Sequence, residues 1–119
     1  MDDTDRTDRS TYAPFILMDR GGYRSLLLTD EHMAAKFAVF EELGEDGWSG
    51  NGYDWNSLAQ VVVAERLPQW QAQLSFDSEA GMFSAQGSRE ALQALGAAMQ
   101  AVFRDDAQIR DLLTRAELD

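Results

Sequence analysis

Cysteine is missing from this chain of 119 residues, and histidine and lysine each occur once, as His32 and Lys36. No disulfide and no cysteine-based zinc site can form. One imidazole is a poor start for a transition-metal site, and beside Glu31 it reads as an ordinary exposed helix residue. Long apolar runs are missing too. Ala13 to Met18 and Val61 to Ala64 fall far short of the roughly 20 residues a membrane-spanning helix needs. The start, Met1-Asp2-Asp3-Thr4-Asp5-Arg6, is acidic and lacks the apolar stretch of a signal peptide. The expectation is a soluble, cytoplasmic protein with no metal and no cofactor.

Positive charge is also scarce: 10 Lys and Arg against 21 Asp and Glu leave a net charge of −11. Nucleic-acid binding draws on Lys and Arg to displace condensed counterions, so this balance argues against it. It favours a partner with a basic surface, because opposite fields speed encounter and reject wrong partners. Solubility alone is the competing explanation.

With 45% apolar residues the chain can build a core without staples, and its length suits one domain. Residues 1–11 alternate Asp, Thr, Arg and Ser and read as an acidic, disordered tail. Residues 12–119 read as a single domain. Ala13 to Met18 and Tyr23 to Leu28 flank Gly21-Gly22, a hairpin signal. Phe15 to Met18 and Leu26-Leu27-Leu28 put apolar groups on both sheet faces, so both faces are covered or one edge is shared with another chain.

Thr29 or Asp30 can cap a helix carrying Met33, Phe37 and Phe40, with Gly44 as its stop. Asp54 or Asn56 can cap a second helix through Leu58 and Val62, ending before Pro68. Its run of valines leaves strand open as an alternative. Trp70, Ala72, Leu74 and Phe76 alternate with Gln71, Gln73 and Ser75, the period of a half-buried strand. Met82 to Gln86 is its partner across the turn Ser78 to Gly81. Ser88 caps a third helix with Leu92, Leu95, Met99 and Val102 on one stripe, and Asp105 or Asp106 opens a fourth. The order ββααββαα predicts an α+β domain: an antiparallel sheet built from two β-hairpins, with helices packed on one face.

The densest segment runs from Glu45 to Trp55: Glu-Asp-Gly-Trp-Ser-Gly-Asn-Gly-Tyr-Asp-Trp. Its glycines permit close backbone approach, and Trp48, Tyr53 and Trp55 supply wide, rigid contact area. Trp48, set between glycines and acids, suits either intramolecular packing or a partner contact, whereas Trp55 and Leu58 lean towards the core. Familiar catalytic motifs do not fit. Gly47-Trp48-Ser49-Gly50-Asn51 misses the second glycine of a nucleophile elbow and follows a helix. Gly50-Asn51-Gly52-Tyr53-Asp54-Trp55 ends in Trp where a dinucleotide loop needs Gly. Asp77 and Glu79, two apart, can share a face as an acid pair; the plainer reading is a solvated hairpin tip. Trp70, Phe76 and Phe83 read as core.

Gly50-Asn51-Gly52-Tyr53-Asp54-Trp55, with Phe76-Asp77-Ser78-Glu79-Ala80-Gly81-Met82-Phe83 about twenty residues later, resembles a family of bacterial immunity proteins, the one numbered fifty-one. The likeness spans about Tyr23 to Phe103. It implies a non-catalytic protein that binds and neutralises one toxin domain. Glu45, Asp46, Asp54, Asp77 and Glu79 would then complement a basic toxin surface, and Trp48, Asn51 and Tyr53 would anchor it. Two rivals remain: a small enzyme using Asp54, Asp77 and Glu79, and an adaptor that assembles as a homo-oligomer through its two-faced strands.

Overall fold

The structure is a computed structural model, which describes residues 6–117. Strands β1 (Ile16–Arg20) and β2 (Tyr23–Thr29) form the first hairpin. Its two turn residues both need the left-handed region, which glycine enters without steric cost: φ is 57° at Gly21 and 91° at Gly22. Strands β3 (Leu74–Phe76) and β4 (Met82–Gly87) form the second hairpin. The hairpins join through β2 and β4, giving an antiparallel four-stranded sheet in the order β1-β2-β4-β3.

Register decides which side chains face the helices. Leu17, Leu26 and Ala85 stand side by side across three strands, with Leu28 and Phe83 paired one step along. All five are buried. Ile16, Met18 and Leu27 point to the opposite face and are half-buried, so the apolar character expected of both faces is there, but unequally covered.

Helices α1 (Asp30–Met33) and α2 (Phe37–Glu41) are separated by a 3₁₀ turn, Ala34–Lys36, where one continuous helix was expected. The break coincides with Lys36 reaching Asp106 at 2.9 Å and lying 5.0 Å from the centre of the Phe103 ring. Helix α3 (Gly52–Arg66) includes the three valines, which resolves the helix-or-strand alternative in favour of helix. It is buried along most of its length, and no hydrophobic stripe reveals it because neighbours enclose it on several sides.

The expected strand from Trp70 is corrected at its start. Residues Pro68–Gln73 form a 3₁₀ helix with Pro at its first position, and β3 begins only at Leu74. Proline fixes φ near the helical value and suits a helix start, and that local preference outweighs the alternation. Trp70 is accordingly half-buried outside the sheet, while Phe76 packs against Phe83 with ring centroids 6.2 Å apart.

Helix α4 (Arg89–Phe103) opens on Ser88, whose hydroxyl accepts from the Ala91 amide, and α5 (Asp106–Leu113) opens on Asp105, which accepts from that of Ala107. Trp55 lies at the centre of the core, fully buried, stacked on Phe103 at 5.6 Å and tilted against Phe40 at 5.2 Å.

Residues 1–5 of the expected tail lie outside the described residues. From Arg6 the chain runs beside β1, with the Arg6 and Asp8 amides donating to Asp19 and Leu17 carbonyls at 2.8 Å. Tyr12 then packs over Gly96, where an added Cβ would come within 2.9 Å of the ring. Arg6 and Asp8 are therefore paired with β1 and residues 8–11 form a turn, where a disordered tail was expected. Among the described residues no helix is long and apolar enough to cross a membrane.

Candidate partner-binding surface

The aromatic loop is organised by Asp54 and Asn51. Asn51 is the N-cap of α3, and its Oδ1 accepts from the Asp54 amide at 2.9 Å. Neither Asp54 nor Asn56, the caps read from sequence, has that place; both lie inside the helix. Asp54 instead turns its carboxylate back onto the loop, accepting from the Ser49 amide at 2.6 Å, the Gly50 amide at 2.8 Å and the Ser49 hydroxyl at 3.3 Å. A carboxylate in the first turn also faces the positive end of the helix dipole.

Two of the expected contact residues are buried in this arrangement. Asp54 is 5% exposed and its carboxylate is engaged by loop amides, so it presents no free charge to a partner. Trp48 is also 5% exposed and belongs to the core, which decides between its two readings in favour of intramolecular packing. Gly50 permits that inward fold: its φ is 94°, and an added Cβ would come within 2.9 Å of Phe37 and 3.4 Å of Phe40.

Gly52 joins the two dense motifs. Its amide donates to the Ala80 carbonyl at 2.8 Å, and an added Cβ would collide with the Glu79 and Met82 carbonyls. Four residues into the helix, Asn56 Oδ1 accepts from the Ser78 hydroxyl at 2.7 Å; Ser78 Oγ in turn accepts from the Ser84 amide at 3.0 Å. The start of α3 and the β3–β4 turn thus form one rim, although they are far apart in sequence. Asn56 and Ser78 complete this join; the sequence offers Asn56 only as a helix cap and Ser78 only as a turn residue, since nothing in it distinguishes a tethering serine from any turn serine.

What the rim exposes is a short set of side chains. Tyr53 is 42% exposed, Asp77 and Glu79 are exposed, and Asn51 is half-buried with its oxygen committed to the cap. Glu45 and Asp46 are exposed on a 3₁₀ turn, Gly44–Asp46, and Asp46 borders a cavity of about 440 Å³ together with Leu43, Trp48 and Leu113. His32 is exposed on α1. Among the described residues no three His, Asp or Glu side chains converge as metal ligands.

Fold and surface together define a small, acidic α+β domain whose two motif segments meet in one rim. The family model described as Immunity protein 51 matches residues 15–118. The chain belongs to that family, and its general function is that of an immunity protein. No curated protein and no solved structure matches it significantly.

Proposed function

We propose that this protein binds a cognate toxin domain in the cytoplasm of the producing cell and holds it inactive without chemistry of its own. Tyr53 is the aromatic anchor of the contact, Asp77 and Glu79 its acidic neighbours, and Asn51, Glu45 and Asp46 its flanks. The observation that carries this reading is the fit at Gly52. It fastens the loop to the hairpin tip and so presents Tyr53 and the acid pair from a rigid support, the arrangement that keeps the conformational cost of binding low. Membership of an immunity family supplies the partner class. The −11 balance favours a toxin with a basic surface.

The enzyme alternative loses one of its three carboxylates to loop architecture, since Asp54 is occupied by backbone amides. The test is titration calorimetry with the cognate toxin domain. Tyr53→Ala is expected to weaken binding by about 2 kcal/mol or more, as interface aromatics do. Toxin binding that is indifferent to Tyr53, Asp77 and Glu79 would remove the rim from the interface.

A further inference from the structure

In a chain this acidic, one cavity has the opposite character. It measures about 460 Å³ and is bordered by Arg9, His32 and Arg104, with Pro14, Ile16 and Phe103 among its walls. The three basic residues are exposed and the three apolar ones half-buried.

Neither Arg9 nor Arg104 forms an ion pair among the described residues, whereas Arg24, Lys36, Arg89, Arg110 and Arg115 all do. The acids next to them in sequence are engaged elsewhere. Asp8 accepts from the Ser10 and Thr11 amides at 3.0 Å, Asp105 caps α5, and Asp106 holds Lys36. Two unpaired guanidinium groups beside an apolar wall suit an anionic head attached to an apolar body.

The position of the cavity identifies where that group comes from. Thr29 pairs with Met82 and Ile16 with Leu27, so the start of β1, the end of β2 and the β3–β4 turn lie at one end of the sheet. The acid pair of the rim sits on the β3–β4 side of that end and the cationic cavity on the β1 side. Strands about 4.8 Å apart put the outer two roughly 14 Å from each other, well within one protein interface.

We propose that the cavity receives an acidic side chain of the toxin together with the apolar group beside it, so that one interface carries two contacts of opposite charge sense. This rests on the toxin-binding reading. It assigns the cavity a distinct role: a bipolar surface sets the orientation of the partner and rejects one that is merely basic.

Charge reversal separates this from bulk electrostatics. Arg104→Glu and Arg9→Glu make the chain more acidic, so a purely global attraction to a basic toxin would strengthen. A local anion contact would weaken: each reversal is expected to reduce affinity for the cognate toxin domain at least tenfold, and Arg104→Lys to recover most of the loss. Millimolar 3-phenylpropionate is expected to compete with the toxin for the wild-type chain, and 3-phenylpropanamide is not. A wild-type chain that binds no toxin overturns the toxin reading and this inference together. Toxin binding that both reversals leave within twofold, or strengthen, overturns this inference alone.

Discussion

Gly52 and Gly81 stand at opposite sides of the same contact, and only one of them is sterically committed. A Cβ at Gly52 would strike the backbone of Glu79 and Met82, whereas one at Gly81 would meet nothing within 4 Å. Gly52→Ala is therefore expected to destabilise the domain by about 1–3 kcal/mol or more through overpacking against backbone. Gly81→Ala should stay within about 0.5 kcal/mol, as open surface changes do. Urea unfolding of the pair checks both. Trp48 and Tyr53 form a second contrast. Trp48→Ala should cost about 3–5 kcal/mol of stability, the range for a buried large aromatic, while Tyr53→Ala should leave the midpoint nearly unchanged. The sequence marks the segment and the core position of Trp55, but leaves the direction of the Trp48 ring open. Glycine on both sides of Trp48 is equally consistent with a ring folded in or held out; what decides is Gly50 packing on Phe37 and Phe40, a contact with no signature in the sequence.

At the scale of elements, the stretches whose local chemistry and tertiary role agree were legible. Gly21-Gly22 marks a two-residue hairpin and is one; Ser88 and the Leu92-Leu95-Met99-Val102 stripe mark a capped amphipathic helix, and α4 matches. Misreadings arose where two rules competed. At Pro68 the alternation of Trp70 to Phe76 opposed a proline helix start, and at Lys36 helical spacing opposed a contact to α5. The N-terminal segment shows the same limit: polar composition says nothing of backbone pairing with β1.

That segment also carries a pH prediction. Hydrogen bonds from the Thr11 side chain and amide and from the Ser10 amide hold the Asp8 carboxyl down at about 2. A depressed carboxyl contributes stability that is fully present above its unfolded value of about 3.9 and lost as pH falls through the folded value. The turn at residues 8–11 should therefore loosen between about pH 4 and pH 2, and the Thr11 amide should lose its hydrogen-bonded shift in that window. Asp8→Asn should abolish the transition; an unchanged titration in that variant would assign it to another group.

For the whole molecule, charge and shape have separate tasks. A net charge of −11 is expected to set how fast the toxin arrives, so the association rate should fall steeply from low to high salt while the dissociation rate changes little. An association rate independent of salt would leave solubility as the reason for the acidity. Shape is expected to set how long the toxin stays. Titration of a cognate toxin domain with the wild-type chain, Tyr53→Ala and Glu79→Lys decides whether the rim is the recognition surface. The expected result is tight binding by the wild type, weakened by about 2 kcal/mol or more in Tyr53→Ala and measurably in Glu79→Lys, with both variants as stable as the wild type. Wild-type affinity in both variants would contradict it.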